Sequence, residues 1–314
     1  MKDLRIIFMG TPDFAVGILD AMYQNNYNIV AVITAADKPA GRGQKIKHSA
    51  VKQYALEKQL PILQPTNLKD EAFIEELKSF NANLQVVVAF RMLPEVVWKM
   101  PELGTFNLHA SLLPDYRGAA PINWAIINGE EKTGVTTFFI DEKIDTGAII
   151  LKDETTIDKN ETAGELHDRL MKIGAGTVLK TLDLIAKEKV ETFNQPSEET
   201  KTAYKLNKDN CKIDFSQSVR QIHNHIRGLS PYPAAWCIFK DGNAELPVKI
   251  YLSNFEIEPH NYTTGSIIST KKELKIAVKD GFLHILRLQL PGKKQMNTNE
   301  LLNGITFSVE AKAL

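Results

Sequence analysis

Residues 4–35, LRIIFMGTPDFAVGILDAMYQNNYNIVAVITA, set two apolar runs on either side of an amphipathic stretch. LRIIFMG (4–10) and IVAVITA (29–35) are nearly continuous in apolar residues, the pattern of strands buried on both faces. Between them, DFAVGILDAMYQNN places Phe14, Ile18 and Met22 on one helical face. A strand, a crossover helix and a second strand predict a parallel pair covered by that helix. The pattern continues outward. SAVKQYALEKQ and DEAFIEELKSF read as helices, and LQVVVAF (84–90), TFNLHA (105–110) and GVTTFFI (134–140) as further strands. A helical pattern over 161–187 closes the unit. The expected class is α/β with a mostly parallel sheet, which binds ligands beyond the carboxyl ends of its strands. Four segments therefore qualify as site-bearing: Gly10–Phe14, Ala89–Pro94, Asn107–Pro114 and Asp141–Asp145. GTPDF lacks the G-x-G-x-x-G spacing that lets a backbone approach a pyrophosphate, which counts against a nicotinamide enzyme. It reads as a tight strand-to-helix turn with Asp13 as the helix cap.

Beyond residue 187 the pattern changes. Residues 188–206 are polar and irregular around QPSEET and suit a linker. After it, SVRQIHNHIRGL is an amphipathic helix, followed by the short β runs AAWCIFK, PVKIYLSNFEI, GSIIST, ELKIAVK and FLHILRLQL. KDG between the last two signals a hairpin. Five short strands with a helix predict a small, OB-like barrel. The expected division is 1–187, a linker at 188–206, and 207–314.

Net charge over the 314 residues is zero, but residues 201–314 hold sixteen Lys/Arg against ten Asp/Glu, a surplus of six. That surplus is compatible with an anionic ligand at the C-terminal part, although on charge alone it is more often ordinary solvated surface. The two cysteines, Cys211 and Cys237, form no metal or disulfide pattern and fit a reducing compartment. MKDLRIIFMG is too short a run for a signal peptide and no segment approaches a membrane span. A cytoplasmic protein without a membrane partner is expected.

Three motifs carry possible chemistry. DKPAGRGQKIKH (37–48) gathers Lys38, Arg42, Lys45, Lys47 and His48 against Asp37 alone. Arginine between glycines suits insertion beside phosphates, although an ordinary solvated loop has the same composition. HNH (223–225) lies on a helix whose apolar face is Val219, Ile222, Ile226 and Leu229, and reads as packing, with no metal framework around it. In FNLHASLLPDYRGAAP (106–121), Asn107 and His109 share one face of a strand end. Taken alone such a pair is more often a structural feature. DEKIDTG (141–147) follows another strand and offers Asp145, a carboxylate able to orient the imidazole and raise its pKa. An amide and an imidazolium can stabilise an oxyanion, while the imidazole and carboxylate handle a proton. With no Ser or Cys nucleophile beside them, direct transfer to a bound amine is more natural than an acyl-enzyme.

FNLHASLLPDYRGAAPINWAI followed by GVTTFFIDEKIDTG resembles the catalytic core of the 10-formyltetrahydrofolate-dependent formyltransferases. Asn107, His109 and Asp145 fall on that family's catalytic triad, and Ser111, Leu112, Leu113 and Pro114 on its folate-binding loop. GTPDFA, ADKPAGRG, the linker and LQLPGKKQMNTNELLNG extend the resemblance over essentially the whole chain, to the branch acting on initiator methionyl-tRNA. The resemblance implies a Rossmann-like catalytic domain and an OB-like domain that helps to hold tRNA. It also implies a pterin slot near Val88, Leu93, Leu113, Ile140 and Asp141, and a loop (Arg42 with Lys38, Lys45 and Lys47) entering the tRNA acceptor end. No metal and a monomer are expected. In VVVAFRMLP the chain departs from the family, placing Arg91 near a position commonly held by glycine. The alternatives are a formyltransferase for an amino sugar nucleotide and a non-catalytic tRNA- or folate-binding protein on the same scaffold.

Overall fold

The computed structural model describes residues 2–40, 45–196 and 201–314. The chain forms two compact units, one from Met1–Gly118, Thr133–Thr155 and His167–Thr202, the other from Ala119–Lys132, Thr156–Leu166 and Ala203–Leu314.

The first unit opens with β1 (Arg5–Gly10), α1 (Asp13–Gln24) and β2 (Asn28–Ile33). An antiparallel pair, β3 (Lys38–Ala40) and β4 (Lys45–Lys47), precedes α2 (Ala50–Glu57), β5 (Ile62–Leu63) and α3 (Glu71–Ser79). Next come β6 (Leu84–Val88), α4 (Glu95–Trp98), β7 (Thr105–His109) and β8 (Arg117–Gly118). Helix α5 (Pro121–Ile127) belongs to the second unit, and β9 (Lys132–Phe139), β10 (Ile149–Thr156) and α6 (Ala163–Ala186) follow it. The seven-stranded sheet has the order β10-β9-β7-β6-β1-β2-β5. β1 runs parallel to β2 and β6, β6 to β7, and β2 to β5, while β7 and β9 are antiparallel.

Burial explains the apolar runs. Ile6 to Met9 are at most 1% exposed, as expected of a central strand covered on both faces. α1 turns Phe14, Ala15, Ile18, Leu19 and Met22 inward. Its cap differs from expectation: Pro12 occupies the N-cap with no side-chain bond, and Asp13 sits in the first turn. Asp13 therefore acts on the positive end of the helix as a charge rather than as a cap. Side-chain caps do start α2, where Ser49 Oγ accepts from Lys52 N–H, and α3, where Asp70 accepts from Phe73 N–H.

β11 (Thr202–Ala203) leads into the second unit, which holds α7 (Val219–Leu229), β12 (Ala235–Asp241), β13 (Ala244–Glu256), β14 (Ile267–Ser269), β15 (Leu274–Val278), β16 (Gly281–Gln289), β17 (Met296–Asn297), α8 (Thr298–Leu302) and β18 (Lys312–Ala313). The order β14-β15-β16-β13-β12-β18 is antiparallel wherever pairs are recorded. β18 nearly closes the barrel, pairing with β12 while Ala313 N–H donates to Gly265 O and Ile267 N–H to Ala311 O. The OB-like expectation holds, with β17 and β18 added to the five strands read from sequence. The KDG signal becomes a tight turn in which Val278 pairs with Gly281. Val219, Ile222, Ile226 and Leu229 of α7 are buried in the barrel core. The HNH histidines pack as expected: His223 is 3% exposed and its Nδ1 lies 3.0 Å from Ser253 Oγ. No helix among the described residues is long and apolar enough to cross a membrane.

Candidate active site

Parallel pairing aligns Asn107 with Val87 of β6, and antiparallel pairing aligns it with Phe138 of β9; His109 lies opposite Thr136. Side chains alternate across the sheet, so Asn107 and His109 share the face of Val87 and Phe138. Leu108 points to the other face, where a Cβ on Gly174 of α6 would come within 2.8 Å of it. Asn107 is half-buried and its carboxamide makes no hydrogen bond among the described residues. His109 is 7% exposed, and its Nε2–H donates to Tyr116 O at 2.8 Å. A carbonyl only accepts, so this contact fixes a proton on Nε2 and leaves Nδ1 as the working nitrogen. Nδ1 faces Asp145 Oδ2 at 3.7 Å, an ion-pair separation longer than a hydrogen bond. The same Oδ2 accepts Gly118 N–H at 3.0 Å. Asp145 has φ +55°, a left-handed conformation that Asp tolerates better than most residues.

The loop after β7 is tied to β9. Ser111 Oγ–H donates to Asp115 O, and Thr136 Oγ1 donates to Ser111 O while accepting Leu113 N–H. Lys152 Nζ–H donates to Leu113 O, and burial lowers the pKa of that lysine. Ser111 and Leu113 are buried, Leu113 packing on Phe138 and Ile149, whereas Leu112 and Pro114 are half-exposed.

Of the residues expected around a pterin slot, Leu93 and Ile140 share a cluster, and Val87 joins them there. Val88 is fully buried and, one position on, points with Leu108, with which it pairs, to the opposite face, the one α6 covers. Asp141 is exposed and accepts from Lys143 N–H and Thr146 Oγ1–H, bracing its own loop. Arg91 lies over the Phe90 ring and donates to the carbonyls of Thr66 and Pro65, which fixes Phe90–Leu93 against that neighbouring segment.

Arg42 lies outside the described residues. Lys38 and Lys45 lie on the paired backbones of β3 and β4, and Lys47 is exposed. Asp37 anchors the foot of this pair. Hydrogen bonds from Gln64 and Lys52, with His48 Nδ1 3.1 Å away, hold its carboxyl far below the usual range. No cluster of His, Cys, Asp and Glu suited to a metal occurs among the described residues.

Two residues that sequence reasoning left without a role converge on Asp145. Arg117, 7% exposed, donates from Nε to Asp145 O at 3.1 Å and from Nη2 to Gln195 Oε1 at 2.7 Å. Gln195 Nε2 donates to Asp145 O at 3.0 Å and to Gly147 O at 2.8 Å. Arg117 stands inside the motif that resembles the family, which was its only signal. Gln195 falls in the polar stretch read as a linker and carried none.

An amide, an imidazole and a carboxylate thus gather beyond the carboxyl end of a mostly parallel sheet, groups able to stabilise an oxyanion and to move a proton. Residues 4–182 match the Formyl transferase family and residues 205–306 the Formyl transferase, C-terminal domain family. The chain belongs to the formyl transferase family. More particularly, it is 68% identical over 313 residues to methionyl-tRNA formyltransferase of Flavobacterium johnsoniae, covering 99% of each chain. It is 52% identical to methionyl-tRNA formyltransferase of Bacteroides fragilis, covering 100% of this chain and 99% of that one. Among solved structures, the N-formyltransferase from Helicobacter canadensis in complex with folinic acid and dTDP-3-aminofucose has a TM-score of 0.63 at 24% identity, covering 90% of this chain and 98% of that one. That likeness is one of fold.

Proposed function

We infer that this chain transfers the formyl group of 10-formyltetrahydrofolate to the α-amine of methionine on initiator methionyl-tRNA. The observation that carries the reading is His109 facing Asp145, with Asn107 on the same strand face and its carboxamide free of hydrogen bonds among the described residues, in a chain 68% identical over 313 residues to a methionyl-tRNA formyltransferase. The neutral amine attacks the formyl carbon and the carbonyl oxygen becomes an oxyanion. Asn107 donates to that oxygen from its carboxamide, and protonated His109 from Nδ1. Asp145 stabilises the imidazolium and helps to relay the proton that leaves the amine. The C–N bond to the folate then breaks, N10 takes up that proton, and formyl-methionyl-tRNA and tetrahydrofolate are released.

Leu93 and Ile140 supply apolar walls for the pterin, with Asp141 and the loop Ser111–Pro114 at its rim, and Val87 takes the place expected for Val88. Residues 1–187 carry the chemistry. Arg42, with Lys38, Lys45 and Lys47, contacts the tRNA acceptor end, and the basic residues of 207–314 hold the rest through the linker 188–206. The substrate is a charged tRNA, which puts the enzyme in the cytoplasm, working as a monomer.

The test is formyl transfer in vitro from 10-formyltetrahydrofolate to charged initiator tRNA, beside an amino sugar nucleotide as rival acceptor. Turnover on the tRNA alone is expected. Preference for the sugar nucleotide, or no turnover on either, refutes the reading.

A further inference from the structure

We propose that Gln195 is a positioning residue for Asp145, so that the segment joining the two parts of the chain completes the formyl-transfer site. The inference rests on the reading of His109 and Asp145 as the proton-handling pair. Asp145 belongs to a loop, 141–147, whose first four residues are exposed, and it holds a left-handed backbone. Bonds within the loop link only Asp141, Lys143 and Thr146 among the described residues. The backbone of Asp145 itself is restrained from outside, at its carbonyl, by Arg117 and Gln195.

Gln195 is the hub of that restraint. Its Nε2 bridges the carbonyls of Asp145 and Gly147, and its Oε1 accepts from Nε and Nη2 of Arg117. The two carbonyls require donors and the guanidinium requires an acceptor, so an amide satisfies both sides at once. Glutamate would satisfy Arg117 and repel both carbonyls; alanine would satisfy neither, leaving the buried Arg117 short of an acceptor.

The segment bearing Gln195 is itself pinned. Phe193 and Ile149 exchange backbone hydrogen bonds of 2.8 and 2.9 Å, and Pro196 O accepts from Arg117. A few residues on, Lys201 O accepts Tyr116 N–H at 2.7 Å, and it is the carbonyl of Tyr116 that holds His109. One stretch of chain therefore braces the backbone behind both members of the pair. A displacement of about 1 Å at such a pair costs on the order of 10² in rate.

The experiment compares wild type, Gln195→Ala and Gln195→Glu in formyl transfer to methionyl-tRNA, with tryptic cleavage after the exposed Lys143 followed by mass spectrometry. Both variants are expected to lose roughly 10- to 100-fold in kcat with KM for both substrates within about twofold. Cleavage after Lys143 should quicken several-fold while the thermal midpoint stays close to wild type. Unchanged kcat and cleavage in both variants would overturn the proposal, as would a Gln195→Glu protein as active as wild type. If the wild-type protein transfers no formyl group, the functional reading fails. The Lys143 cleavage rates then decide separately whether Gln195 holds the loop.

Discussion

Replacing Gly147 by alanine should disable the site while leaving the fold standing. A Cβ at residue 147 would lie 1.7 Å from Phe139 O, and ordinary contact begins at 3.4 Å, so the difference requires a shift of 1.7 Å. The obstacle is backbone and no side chain can rotate away. The shift therefore falls on the crossing of β9 and β10, where Phe139 N–H donates to Ala148 O and Gln195 Nε2–H to Gly147 O. Asp145 lies two residues upstream and rides on the same loop. Misplacement on this scale costs about 10² in turnover, and overpacking of this kind costs about 1–3 kcal/mol in stability. Steady-state formyl transfer at saturating tRNA and folate should show kcat reduced about 100-fold. The control is Gly176→Ala in α6, where a Cβ meets nothing within 4 Å and full activity is expected. A Gly147→Ala enzyme with a thermal midpoint near wild type and turnover within twofold of it would refute the reasoning.

Asn107→Ala, His109→Ala and Asp145→Ala should each lower kcat by roughly 10²–10³ without unfolding the chain, the loss expected for an oxyanion donor or its partner; near-normal turnover of His109→Ala removes it from the mechanism. Arg42→Ala should raise the KM for tRNA and leave that for folate unchanged, with the salt dependence of tRNA binding reduced by about one ion; an unchanged tRNA KM refutes the contact. Burial, helped by Arg227 and Arg220, pushes His223 down to about 4. The unfolded chain takes up that proton near 6.5, so between pH 6.5 and 4 it binds more protons than the folded state. Stability should fall as pH drops through that window, by about 3 kcal/mol, and His223→Gln should flatten the slope in thermal melts. Identical slopes for the two proteins would exclude His223 as the cause.

What the sequence disclosed follows from which physical signals a side chain can carry. Buried parallel strands are written as continuous apolar runs, so β1, β2, β6 and β7 were legible. For the same reason their facing was not: LQVVV is buried throughout, and only pairing with β7 puts Val87 and Asn107 on one face and Val88 on the other. β10 is half of the opposite kind. Its burial alternates from Leu151 to Thr156, and its charged outer residues resemble a loop when read in one dimension. β18 brings the barrel close to closure with two residues, fewer than any periodicity can register. Asn107 and His109 were legible because a period of two brings unlike polar groups together at a strand end. Gln195 was not, because its partners are the carbonyls of Asp145 and Gly147, and a carbonyl looks the same whatever residue bears it. The reacting groups of such a site are visible in side-chain identity, whereas the groups that aim them act on backbone and emerge only with the fold. That is why a polar linker, the least informative stretch of the sequence, can hold the residue on which the geometry of Asp145 depends.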